Sequence, residues 1–180
     1  MNEMKTYTKA ELDEVLRNHK HWLLRDCDGW EALRANLYMA NLSGANLSRA
    51  NLYRANLSRA NLSGAKNFPY IPMTCPDSGK FTAWKKASGK IVKLLITEDA
   101  RRSSSAGRKC RCDKAIVLSI QNLDGTDAGI VSVPSDRDKD FIYKIGETVT
   151  VPDFCEDRFE ECAAGIHFFI NRQEAVKYNG

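Results

Sequence analysis

No stretch of this 180-residue chain comes near the ~18 consecutive apolar residues that a membrane helix needs. The opening residues, MNEMKTYTKAEL, are charged and polar, which argues against a secretory leader and for a soluble, cytoplasmic protein. In that compartment the six cysteines stay mostly reduced and should not be read as three disulfides. The chain also lacks H-E-x-x-H, G-x-G-x-x-G, G-x-S-x-G and the P-loop spacing. That removes the common signatures for zinc proteolysis, dinucleotide binding, serine hydrolysis and P-loop phosphate binding. No carboxylate pair stands out. A dense basic face is missing too: the first 90 residues hold 14 Lys and Arg against 8 Asp and Glu, the second 90 hold 13 against 15. So mild an asymmetry does not indicate a dedicated nucleic-acid binder.

What the chain does have is a period. Residues Ala35 to Gly64 read ANLYM, ANLSG, ANLSR, ANLYR, ANLSR, ANLSG, six uninterrupted units of five. A helix repeats its apolar positions every 3.6 residues and a flat strand every 2. A period of five fits neither, and implies a coil that turns a corner at each unit and brings each Ala and Leu back inside. Six units are too few to stand alone, because stacked repeats need neighbours and caps.

These units resemble the pentapeptide-repeat family, with its A-(D/N)-L-x-x pattern. The resemblance implies a right-handed, four-sided β-helix of about one and a half coils. Leu37, Leu42, Leu47, Leu52, Leu57 and Leu62 would fill the interior beside Ala35, Ala40, Ala45, Ala50, Ala55 and Ala60. Coils ~4.8 Å apart make it roughly 7 Å tall. Some members bind DNA gyrase by presenting an acidic, DNA-like rod. This repeat is far too short, contains no Asp or Glu, and carries Arg49, Arg54 and Arg59 instead.

Ahead of the repeat, Thr8-Lys9-Ala10-Glu11 is a capping-box pattern, and Leu12, Val15, Leu16, His19 and Leu23 share one face of a helix from about Lys9 to Arg25. This helix would lid the first coil, with His19 and Trp22 packed over the leucines. The H-x-x-W-L sequence is similar to that of phage-encoded pentapeptide proteins. After Ala65, Pro69, Pro72 and Pro76 mark an ordered connector, with one strand expected around Phe81 to Lys85. Strands are then expected at Ile91–Ile96, Ala115–Ile120, Gly129–Val133, Phe141–Lys144, Glu147–Val151 and Gly165–Ile170, before a helix over Arg172–Tyr178 capped by Asn171. The stretches EDARRSSSAGRKCRCDKA, YKIGETV and ECAAGIHFFINRQEA resemble a C-terminal domain of unknown function that accompanies pentapeptide repeats in phage and other viral proteins. The expected organisation is a capping helix (1–29), the β-helix (30–66), a connector (67–90) and a small α+β domain (91–180), mainly β overall.

Three constellations could carry chemistry. Arg101, Arg102, Ser103, Ser104, Ser105, Arg108 and Lys109, with His167, could hold a phosphate-bearing ligand such as a nucleotide. The competing reading is an exposed basic loop neutralised by Asp153, Glu156, Asp157, Glu160 and Glu161. Cys110-x-Cys112 on a strand would point both thiols to one face, and with Cys162 and His167 from a later strand could form a Cys₃His zinc site, with Cys155 as a substitute, although no C-x₂₋₄-C pair is present. Cys112 or Cys162 beside His167 could act as a nucleophile. The leading expectation is a non-catalytic protein of phage type, with no required cofactor. It would bind a host protein through its C-terminal domain, in a defence or nucleic-acid-handling system. Its coil edges leave a homodimer open. The alternative is a binder, or transferase, of a phosphate-bearing small molecule.

Overall fold

The computed structural model describes residues 4–160 and 162–178. The chain divides into two compact units. The first comprises Met1–Met73, Ser105–Arg108 and Asp157–Cys162, and the second Thr74–Ser104, Lys109–Glu156 and Ala163–Gly180.

In the first unit, β1 (Lys5–Thr6) precedes α1 (Lys9–Leu24). Thr8 caps α1 as the sequence predicts: its hydroxyl accepts from the Glu11 N–H, and the Glu11 carboxylate accepts from the Thr8 N–H. The helix stops at Arg25, which adopts a left-handed conformation and donates its N–H to the His21 carbonyl.

The physical basis of the five-residue period is visible in each repeat. The second-position Asn accepts, through Oδ1, the N–H two residues on, as Asn36 does from Tyr38 at 3.2 Å and Asn51 from Tyr53 at 3.0 Å. The third-position Leu carbonyl accepts the N–H of the next Ala, for example Leu37 from Ala40 at 3.1 Å. The fifth residue lies at positive φ in every unit: Met39, Gly44, Arg49, Arg54, Arg59 and Gly64. Residues twenty apart then pair in parallel, Asn36 with Asn56 and Asn41 with Asn61, so four units bring the chain back over itself. Side-chain amides stack along the same direction, Asn56 Nδ2 donating to Asn36 Oδ1 at 3.1 Å. Leu37, Leu42, Leu47, Leu52 and Leu57 are fully buried with Ala35, Ala40 and Ala55, and Leu12, Val15 and Leu16 of α1 pack against them. The short β2 (Ala40–Asn41) pairs in parallel with β1. Later chain segments join this core through Ala106 and Phe159, the latter edge-on to Phe68.

The second unit is mostly β. A four-stranded antiparallel sheet has the order β10-β7-β4-β3, built from β3 (Phe81–Ala87), β4 (Lys90–Ile96), β7 (Lys114–Gln121) and β10 (Thr148–Thr150). Ser88 and Gly89, both at positive φ, close the tight β3–β4 hairpin. A three-stranded antiparallel sheet has the order β11-β6-β5, from β5 (Arg102–Ser104), β6 (Cys110–Cys112) and β11 (Ile166–Phe168). Phe169 and Trp84 exchange backbone bonds of 2.8 Å, which ties the chain after β11 to β3. The hairpin of β8 (Ser132–Pro134) and β9 (Ile142–Lys144) and the helix α2 (Arg172–Lys177) complete the unit. Two differences from the sequence expectation matter. The strand expected at Gly129–Val133 begins only at Ser132, because Gly129 turns at positive φ. The segment Arg101–Lys109, expected to be a loop between strands, includes β5.

Candidate functional site

β5 and β6 decide what the basic, serine-rich segment can do. Ser103, Ser104 and Ser105 are all buried, so these hydroxyls are not offered to solvent. Ser104 Oγ accepts from the Thr74 N–H at 2.8 Å, while Ser103 Oγ and Ser105 Oγ have no hydrogen-bond partner. Arg102 donates to four carbonyls, those of Gly79, Thr97, Glu98 and Ala100, at 2.7–3.1 Å. Arg101 pairs with Asp113 at 3.0 Å and Glu156 at 3.2 Å. Ser105 and Arg108 belong to the first unit; Arg101–Ser104, Lys109 and His167 belong to the second. The segment expected as a loop presenting donors to a phosphate is in part a strand with its serines buried. Arg101 and Arg102 hold the fold together locally, and the serines are interior. Of the neutralising carboxylates expected, Glu156 meets Arg101 and Glu160 meets Arg59, at 3.0 Å; Glu161 lies outside the described residues.

The β6–β11 register separates the expected zinc ligands. His167 pairs across the sheet with Arg111, whereas Cys110 pairs with Phe168 and Cys112 with Ile166. Side chains alternate along a strand, so His167 lies on the Arg111 face and the two thiols lie on the other. Cys162 belongs to the first unit. Burial pushes the Cys112 thiol up to about 12, which keeps it protonated and silences it as a nucleophile.

His167 does collect cations that the sequence reading only half identified. Burial lowers its pKa to about 4, and Lys109, Lys85 and Arg111 add to the effect. Its Nε2–H donates to the Ala163 carbonyl at 2.9 Å. Lys85, not singled out from sequence, donates to the His167 carbonyl at 3.3 Å, and burial lowers its own pKa to about 8. A basic residue inside an alternating strand carries no sequence mark that tells an interior lysine from a surface one. Arg111, itself buried, donates to the Cys155 carbonyl at 3.0 and 3.2 Å.

On the first unit, His19 is fully buried and accepts the Ala35 N–H at Nδ1 while facing the Tyr53 carbonyl through Nε2, at 3.2 and 3.0 Å. Those two bonds fix the neutral Nε2–H tautomer. Trp22 stacks on its ring at 5.3 Å. His19 thus packs over the leucines, as the sequence suggests. A groove of about 510 Å³ lies beside the start of α1, with Thr6, Lys9, Asp13, Asn41, Ser43 and Asn46 among its lining. It holds one cation and one carboxylate.

The clearest surface anomaly is apolar. Leu118, Ile130, Val131, Ile142 and Ile145 are all exposed, Val131 by 68%. A backbone bond joins two of them, Ile145 N–H to the Val131 carbonyl at 2.9 Å, and the neighbouring Gly146 N–H donates to the Val117 carbonyl at 2.8 Å. Single exposed apolar side chains are ordinary, whereas several on adjoining segments can mark an interaction surface.

The comparisons with known proteins agree with the two halves of the chain. Residues 34–66 match pentapeptide repeats. Residues 71–175, more than half of the chain, match the family of unknown function DUF5758. The protein belongs to that family and carries a pentapeptide-repeat segment ahead of it. No curated protein and no solved structure matched the chain. No helix among the described residues is long and apolar enough to cross a membrane.

Proposed function

We propose that this is a non-catalytic interaction protein of phage type. It acts in the host cytoplasm and binds a host protein through the apolar surface formed by Leu118, Ile130, Val131, Ile142 and Ile145. The observation that carries the reading is the exposure of these apolar side chains, Val131 by 68%, with Val131 and Ile145 joined by a backbone bond. The repeat serves as a platform, a right-handed quadrilateral β-helix of about one and a half coils. The twenty-residue pairing period and the buried leucines support that reading. The protonated Cys112 thiol and the interior serines support a binding role over a catalytic one.

The test is a paired variant, Val131→Asp with Ile145→Asp, used as bait against host extract and then against the isolated partner. Both side chains are exposed, so the melting curve should stay that of the parent while partner capture is lost. Undiminished capture by the double variant would remove this surface from the proposal. A second reading is favoured by the cations around His167: a phosphate-bearing ligand held near Lys85 and Lys109. Mass spectrometry of the intact protein under native conditions separates the two, since a retained nucleotide would favour the second reading.

A further inference from the structure

The end of α1 brings three unlike donors together. His21 lies in the last turn of the helix, and Arg25, left-handed and bonded back to the His21 carbonyl at 2.7 Å, folds the following residues over it. Asp26 Oδ1 then sits 2.7 Å from His21 Nδ1, and the Cys27 thiol joins them. One ligand-capable atom from each of the three residues lies within 4.8 Å of the other two. Cys27 is an exposed, free cysteine. His21 and Asp26 keep 41% and 43% of their side-chain surface, so an ion has access.

We propose that His21, Asp26 and Cys27 form a binding site for a transition-metal dication, Zn²⁺ in class. The donor set decides the metal. Calcium and magnesium take oxygen ligands almost exclusively. An imidazole nitrogen, a carboxylate and a thiolate are the mixed donors of zinc. Bonds of ~2.0–2.3 Å in a tetrahedron place ligand atoms roughly 3.3–3.8 Å apart. The Cys27 thiol therefore needs to draw in by roughly 1–1.5 Å at most, and His21 Nδ1 and Asp26 Oδ1, 2.7 Å apart, to separate by roughly 0.6–1.1 Å, on a surface turn that is already folded back. Carboxylate and thiolate together carry two negative charges, which offset those of the ion. Binding releases the thiol proton to solvent and replaces the His21–Asp26 hydrogen bond with two metal bonds. Three protein ligands leave the fourth position open to water or to a donor from another molecule.

The full chain is titrated with Co²⁺ as a spectroscopic probe, followed by Zn²⁺ as competitor. The parent protein should take up one equivalent, develop a thiolate-to-cobalt charge-transfer band, and lose it to Zn²⁺. Cys27→Ser should abolish the band, and His21→Gln and Asp26→Asn should each weaken binding by about tenfold or more. Cys162→Ser, which removes the other exposed thiol, should change nothing. A band that survives Cys27→Ser, unaltered affinity in Asp26→Asn, or no saturable uptake by the parent protein would overturn the assignment.

Discussion

Acidification from pH 7 to pH 5 should destabilise the second unit, and His167 should account for much of the loss. Its ring is mostly buried, donates Nε2–H to the Ala163 carbonyl, and is faced by Lys85, Lys109 and Arg111. Burial first, then those cations, lower its pKa from 6.5 to about 4. The sign follows from the direction. A depressed histidine stays neutral in the folded state while the unfolded chain takes up a proton. Stability is thus complete above pH 6.5 and declines as pH falls toward the folded value. With those two pKa values the loss is about 2 kcal/mol at pH 5 and about 3 kcal/mol at pH 4. Carboxylates held low by hydrogen bonds, such as Asp99 and Asp124, titrate below this window. His19, whose pKa burial also lowers, contributes with the same sign but is common to both proteins compared. Urea unfolding of the parent and of His167→Gln, at pH 7 and pH 5, isolates the effect. Glutamine can still donate to Ala163, and it does not titrate. The parent should lose about 2 kcal/mol more than the variant between the two pH values. Equal losses would refute both the interior placement of the ring and the cationic field around it.

Three further outcomes test the structure at separate points. His19→Ala removes the partners of the buried Ala35 N–H and of the Tyr53 carbonyl; the first unit should lose about 3 kcal/mol in chemical denaturation, and a loss within error would mean that the helix does not close the coil. Leu47→Ala, at a fully buried rung, should cost about 3 kcal/mol by cavity formation, measured the same way; a negligible cost would place Leu47 outside the interior. Arg102→Ala should lower the unfolding midpoint of the second unit by the equivalent of about 2–4 kcal/mol, because four carbonyls lose a charged donor. Unchanged stability there would restore Arg102 as a residue free to serve a ligand.

The repeat was legible because its code is redundant. Ala and Leu mark the interior, and Asn marks the turn, so each unit repeats the same instruction. The fifth position was less so. Gly44 and Gly64 suit a left-handed backbone, but Met39, Arg49, Arg54 and Arg59 adopt it as well, against their own preference. The coil imposes that conformation through its Asn bonds and parallel pairing, and no property of an arginine in isolation shows it. Strands β3, β4, β7 and β9–β11 followed from β-branched and aromatic runs and β6 from the Cys-x-Cys pattern; β5 did not follow. RSS has no apolar residue, and its pairing with β6 is set by tertiary contacts.

The candidate sites failed in sequence for a related physical reason. Arginine and serine look like ligand donors when a chain is read as a loop, because side-chain donors count as available until their acceptors are known. At Arg102 the acceptors are carbonyls of the same unit, and at Ser104 the donor is the Thr74 N–H. Parity then separated Cys110 and Cys112 from His167: they sit on neighbouring strands, but one residue of register puts them on opposite faces. The apolar surface was hidden by the converse effect. Ile142 alternates with Tyr143 along β9 and so faces away from the buried pair Val133 and Tyr143, while Val131 and Ile145 lie just outside β8 and β9.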